Sequence, residues 1–192
     1  MSWDNYLKTH PYYEKEINES YKMNLINFFN FYKIKYANFK CLEIGSGHGI
    51  YTVILLSIFK HITATEPNDV LFNELNKLKS QPGVKNLTTI NTSVEKITPG
   101  SKTFEKYDMI ICFNVFFLIE DKKKILKKFK KLLNPNGYIL IMEPLKFMKF
   151  DKDNKMNKKM MDSCTNIYNS KQFNIIYHGI VLPNLICYLL QI

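Results

Sequence analysis

The chain has 192 residues, enough for one domain with a sizeable core, and 46% apolar with 23% charged residues is the composition of a folded globule, which excludes the disordered and fibrous classes. The formal net charge is +10, but all 27 basic residues are lysine. Nucleic-acid surfaces usually include arginine for bidentate phosphate and guanine contacts, so the surplus reads first as the imprint of an AT-rich genome.

No stretch has the layout of a signal peptide, and no apolar run approaches the roughly 18–20 residues that span a bilayer. A cytoplasmic protein without membrane contact is the expectation. Cys41, Cys112, Cys164 and Cys187 are widely separated and form no Cys-x-x-Cys pair, so buried reduced thiols are expected and neither a disulfide framework nor a metal site.

In chain order, residues from Tyr12 to about Tyr36, entered through Pro11, carry Ile17, Tyr21, Leu25, Phe28 and Phe29 at helical spacing. Residues 1–37 are therefore expected to form a helical cap on a core of residues 38–192, the two making one domain. Phe39 to Ile44 is a short strand that stops at a glycine cluster, and Ile50 to Phe59 is an almost uniformly apolar helix. His61 to Thr65 reads as a second strand. Pro67-Asn68 then opens a helix bearing Val70, Leu71, Leu75 and Leu78, which ends before Pro82-Gly83. Leu87 to Asn91 is a third strand, and Thr92-Ser-Val-Glu95 has capping-box spacing.

Tyr107 to Asn114 is the continuous β-rich run of a central parallel strand. Asp121 to Leu133 is an amphipathic helix whose lysines, Lys122 to Lys131, form a solvated face. Asn134-Pro-Asn-Gly137 turns into a fifth strand, Tyr138 to Met142. The stretch from Lys146 to Tyr168 is partly helical, and Phe173 to His178 and Leu185 to Leu190 close the chain as strands joined around Pro183-Asn184. This alternation predicts an α/β fold, a doubly wound, mostly parallel seven-stranded sheet with helices on both faces and an antiparallel last strand.

The segment Glu43-Ile-Gly45-Ser-Gly47-His-Gly49 lies where an open parallel sheet binds ligands. Its Gly-x-Gly-x-Gly spacing differs from the Gly-x-Gly-x-x-Gly of dinucleotide enzymes. Glu66, seventeen residues beyond Gly49 at the end of the second strand, is placed to accept hydrogen bonds from both hydroxyls of a ribose. These features indicate a nucleoside without saying which.

From Phe39 onward the sequence resembles the class I S-adenosylmethionine-dependent methyltransferase family. Cys41 to Ile50 resembles its first motif, Asn91 to Ile97 its adenine-contacting segment, Tyr107 to Asn114 its fourth strand, and Leu132 to Ile139 its turn into the fifth. The resemblance implies S-adenosylmethionine as cofactor, S-adenosylhomocysteine as product, and no metal. It implies that Glu43, Gly45, Ser46, Gly47 and Gly49 hold the methionine part, Glu66 and Pro67 the ribose end, and Ser93 and Val94 the adenine. Ser93 stands where the family often has an acid, which makes a weaker acceptor for the adenine amino group. Asn114 is expected either to contact the cofactor or substrate or to cap the following turn. His48 reads as a filler of the glycine turn and Asp108 as structural.

The acceptor pocket is expected to draw on Tyr13 and Glu143, with Phe116 and Phe117 packing the core and one of their two rings facing the pocket, and with Trp3, Tyr6 and Tyr12 packing the leading helix or closing as a lid. Methyl transfer is a direct displacement that positioning and desolvation can accelerate, so no catalytic base is assigned. No Asn/Asp-Pro-Pro-Tyr signature or Pro-Cys pair points to DNA. A small-molecule or protein acceptor is expected, on a monomer or homodimer. The alternatives are an RNA methyltransferase and a catalytically silent module of the same fold; a nicotinamide oxidoreductase is disfavoured by the glycine spacing.

Overall fold

The computed structural model describes residues 15–144, 172–182 and 185–192, together with 158, 162, 163, 165–167 and 169. Trp3, Tyr6, Tyr12, Tyr13, Cys164 and the Pro183-Asn184 turn lie outside these residues. Helix α1 (Lys15–Phe31) precedes strand β1 (Lys40–Ile44), and α2 (Ile50–Leu56) carries the chain to β2 (His61–Thr65). Helix α3 (Asp69–Lys77), β3 (Leu87–Ile90), β4 (Tyr107–Phe113), α4 (Lys122–Leu132), β5 (Leu133–Pro144), β6 (Asn174–Leu182) and β7 (Leu185–Gln191) follow.

The seven strands form one sheet in the order β3-β2-β1-β4-β5-β7-β6. Pairings from β3 through β5 are parallel, and β7 runs antiparallel to both β5 and β6. The expected doubly wound sheet is therefore present, with both closing strands longer than their apolar runs suggested.

Alternation along the central strands divides the core between the two sheet faces. Leu42, Ile44, Ile110 and Cys112 pack with Ile125, Leu126, Phe129 and Leu132 of α4. Cys41, Ile62, Met109 and Ile111 pack with Leu25 and Phe29 of α1, Leu55 of α2 and Leu75 of α3. The stripe read in the leading helix is real at Leu25 and Phe29, while Val70 of α3 is 67% exposed and does not join the core.

Local chemistry starts and stops these elements. Asn68 caps α3, its side chain accepting from the N–H groups of Val70 and Leu71, and Asp121 caps α4 by accepting from Lys124 N–H at 2.9 Å. Asp108 is structural as expected: its carboxylate accepts from Lys40 N–H and from the Asn134 side chain, pinning the starts of β1 and β5 to β4. Cys41, Cys112 and Cys187 are buried and unbonded. Among the described residues no helix is long and apolar enough to cross a membrane.

Candidate active site

Three chain segments meet at the carboxyl ends of β1, β2 and β4. In the first, residues 45–49 turn β1 into α2 through three glycines with φ of 65°, 57° and 95° at Gly45, Gly47 and Gly49. A side-chain carbon on Gly45 would lie 2.5 Å from Val115 Cγ2, and one on Gly49 2.5 Å from Leu78 Cδ1, whereas one on Gly47 would meet nothing within 4 Å. Packing and backbone together demand glycine at the outer two positions. Gly47 alone leaves a bare Cα facing open space, which is the surface a ligand needs for close approach.

Three amides of this turn are bound within the protein. Ser46 N–H donates to Thr65 O, Gly49 N–H to Ser46 O, and Gly47 N–H to Glu66 Oε2 at 2.9 Å. The second segment supplies Glu66 itself, 6% exposed, whose Oε1 accepts from Asn68 N–H at 2.9 Å. A carboxylate oxygen has two lone-pair directions, so each oxygen keeps one for a ligand hydroxyl. Pro67 follows on the exposed surface.

Glu43 lies under the turn, 2% exposed, with Oε2 accepting from Thr52 Oγ1 at 2.6 Å. Burial pushes its carboxyl up to about 7, and the neighbouring Glu66 carboxylate adds to the rise against the hydrogen bond from Thr52. Thr52 was not singled out in the sequence; a hydroxyl within an otherwise apolar first helical turn was the available signal.

The third segment follows β4. Asn114 has φ of 56°, donates its N–H to Met142 O at 2.8 Å, and points its side-chain amide at the Tyr51 hydroxyl 3.3 Å away. It does not cap the next turn, Phe116–Leu118, which has no side-chain cap. Ser93 precedes the turn Val94–Lys96 without a side-chain bond to it, so the capping box expected from Thr92 to Glu95 does not form. Val94 packs into the core beside Ile97.

Phe116 and Phe117 are 0% and 3% exposed, and Phe116 packs on Phe129 of α4, so both rings belong to the interior. Glu143 is 2% exposed and does not form an open pocket wall: Oε1 accepts from Phe117 N–H at 2.7 Å. Burial pushes its carboxyl up to about 7, opposed by hydrogen bonds from Phe117 N–H and Ser163 and by the Lys122 ammonium.

Lys122 corrects the expectation of a uniformly solvated lysine face. It is 6% exposed and donates Nζ to Phe117 O and Ile119 O. The tight turn before α4 leaves those carbonyls without helical partners, and Glu143 provides the countercharge that makes a buried ammonium tolerable. Lys128 similarly donates to Val94 O and Glu95 O. A cation in the first turn of a helix, against the helix dipole, was the sequence signal for Lys122. Among the described residues no group of three or more His, Cys, Asp and Glu side chains is placed to hold a metal ion.

A glycine turn after β1, a buried carboxylate ending β2, and an antiparallel β7 set between β5 and β6 define the Rossmann-like methyltransferase architecture. The chain belongs to the S-adenosylmethionine-dependent methyltransferase family: its residues 13–176 match the model of the family described as "Methyltransferase domain". It is 32% identical over 116 residues to malonyl-[acyl-carrier protein] O-methyltransferase 2 of Ilyobacter polytropus, covering 60% of this chain and 40% of that protein. It is 28% identical over 142 residues to a highly reducing polyketide synthase of Gibberella fujikuroi, covering 69% of this chain and 6% of the synthase. The chain thus spans less than half the length of either relative.

The fold is shared with a crystal structure of an S-adenosylmethionine-dependent methyltransferase from Aquifex aeolicus, at a TM-score of 0.69 and 14% identity over 89% of each chain. It is also shared with the N-methyltransferase NodS of Bradyrhizobium japonicum in complex with S-adenosylhomocysteine, at a TM-score of 0.67 and 14% identity, covering 98% of this chain and 90% of that one.

Proposed function

We propose that the chain binds S-adenosylmethionine across the turn of residues 45–49 and transfers its methyl group to a small-molecule or protein acceptor. The observation that carries this reading is the pairing of Glu66 with Gly47: a carboxylate held by two backbone N–H groups, with a lone pair left on each oxygen, beside the one glycine of the turn whose Cα is open. Such a carboxylate suits the two hydroxyls of a ribose, and the bare Cα suits a closely apposed chain.

In this reading Glu66 holds the ribose with Pro67 beside it, Gly45, Ser46, Gly47 and Gly49 shape the seat of the methionine part, and Glu43 supports that seat from below through Thr52. Ser93 and Val94 flank the adenine, and Asn114 stands at the transfer end, oriented by Tyr51. When bound, S-adenosylmethionine supplies a methyl group already activated on a sulfonium, which an acceptor nucleophile takes by direct displacement. The protein's contribution is alignment and exclusion of water, worth on the order of 7–11 kcal/mol in favourable cases. No side chain is needed to form a covalent intermediate.

An RNA acceptor is less favoured, because the chain has no arginine for bidentate phosphate contacts. The relative that methylates malonyl-[acyl-carrier protein] makes acyl compounds a sensible first acceptor screen.

Calorimetric titration of the protein with S-adenosylmethionine, S-adenosylhomocysteine and NAD tests the reading. The first two should bind at micromolar concentration and NAD should not. Glu66→Ala should weaken S-adenosylhomocysteine binding by about 1.5–3 kcal/mol, the scale of lost charge-assisted hydrogen bonds. Undiminished affinity in that variant would remove Glu66 from the site.

A further inference from the structure

A concavity of about 570 Å³ lies at the opposite end of the sheet from the glycine turn. Lys40 opens β1, Lys60 and Lys85 precede β2 and β3, and Lys102 and Lys106 belong to the segment that leads into β4; all five line it. Parallel pairing explains the convergence. Lys40 stands opposite His61, Ile62 opposite Leu87 and Cys41 opposite Met109, so lysines carried by four separate strand entries reach one edge of the sheet.

Little of this charge is neutralised. Glu105, the carboxylate among the described lining residues, approaches Lys40 at 3.8 Å, and both side chains are more than half exposed, which leaves the pair weak. Lys106 donates to Leu133 O at 3.1 Å. Among the described residues Lys60, Lys85 and Lys102 make no hydrogen bond or ion pair. His61, also in the lining, meets Thr88 Oγ1 through Nε2 at 3.1 Å, and burial and the Lys40 ammonium hold its imidazole below the ordinary value. Like charges gathered around one concavity repel, and an anion lying among them relieves the repulsion.

We propose that this concavity is a second ligand site, which takes a small soluble polyanion bearing several phosphate groups. Its volume falls within the roughly 300–1,000 Å³ of small-molecule sites. Its breadth calls for linked anionic groups: the starts of β3, β2, β1 and β4 span three interstrand spacings, about 14 Å, so one phosphate does not meet the lysines of both sides. Lysine suits phosphate as a point charge without fork geometry, and the exposed Thr88 and Thr103 add hydroxyl donors. A nucleic-acid strand presents the same phosphates, but single strands are held by stacking on exposed rings, and the Tyr107 ring here is only 4% exposed. The five residues of β1, about 16 Å of chain, separate this site from the glycine turn, so its ligand does not compete with one bound there.

Calorimetric titration of the full chain with sodium tripolyphosphate at low ionic strength tests the site. Saturable binding at one equivalent is expected, with inorganic phosphate at least about tenfold weaker. Replacing Lys60, Lys85 and Lys102 together by Gln should weaken tripolyphosphate by about tenfold, the scale of three exposed charge contacts, and leave S-adenosylhomocysteine affinity unchanged. Replacing Lys123, Lys127 and Lys131 of α4 by Gln removes the same net charge elsewhere on the exposed surface and should leave tripolyphosphate affinity unchanged. Proton NMR adds a local readout: with the His61 ring signal assigned by its loss in His61→Gln, tripolyphosphate should move its titration midpoint to higher pH, because a nearby anion favours the imidazolium. Equal weakening in the two triple variants, or an unmoved His61 midpoint, overturns the proposal by reducing the binding to diffuse attraction. Binding of a uridine oligonucleotide without binding of tripolyphosphate also overturns it, in favour of a nucleic-acid surface. S-adenosylhomocysteine binding, measured on the same samples, reports separately on the cofactor reading.

Discussion

Gly45 and Gly47 are two residues apart, both in the left-handed region, and differ in what one added methyl group would meet. Gly45→Ala places a carbon against Val115 and adds overpacking to backbone strain, so it should lower stability by about 2–4 kcal/mol in urea unfolding. Gly47→Ala has room and should lose only the backbone part, about 1–2 kcal/mol, yet weaken S-adenosylhomocysteine binding in calorimetry. Full affinity in folded Gly47→Ala would show that the open Cα is not a ligand surface. Alternating glycines were legible in the sequence as a sharp turn. Which glycine keeps an open Cα was not, because the atoms that decide it belong to Val115 and Leu78, far away in the chain.

At the scale of elements, Glu143 ties the end of β5 to the turn before α4, and its ionisation couples that junction to pH. A carboxyl raised by folding keeps its proton after the unfolded chain has released it, so the folded state binds more protons between the two values and stability falls as pH rises. For Glu143 the interval runs from the ordinary value of 4.5 to about 7. Glu43 acts in the same direction, while His48 and His61, lowered by burial from 6.5, act oppositely below that value. A difference between two proteins isolates the group. Relative to the parent, Glu143→Gln should gain stability as pH rises through this interval, by on the order of 3 kcal/mol in all, and then level off. A pH-independent difference in urea unfolding would show that Glu143 titrates normally. In the sequence, Glu143 was visible only as a carboxylate at a strand end; its partners Phe117 and Lys122 come from the preceding crossover, so an interior role could not be read from its neighbours.

For the molecule as a whole, ligand binding and global stability should be linked by mass action. S-adenosylhomocysteine at about a hundred times its dissociation constant should add about 2.7 kcal/mol, which for a domain of this size raises Tm by roughly 5–11 °C. NAD at the same concentration should leave Tm unchanged, and equal shifts from both would contradict the assigned cofactor class. The sequence by itself determined the alternation of strands and helices, the turn after β1 and the carboxylate after β2, because these follow from hydrophobic period and from residue types adjacent in the chain. It did not determine the burial of Lys122, the enclosure of Glu143, or the orientation of Asn114 toward Tyr51. Those were decided by tertiary structure, since each depends on side chains brought together from separate crossovers of one sheet, and such meetings leave no periodic trace along the chain.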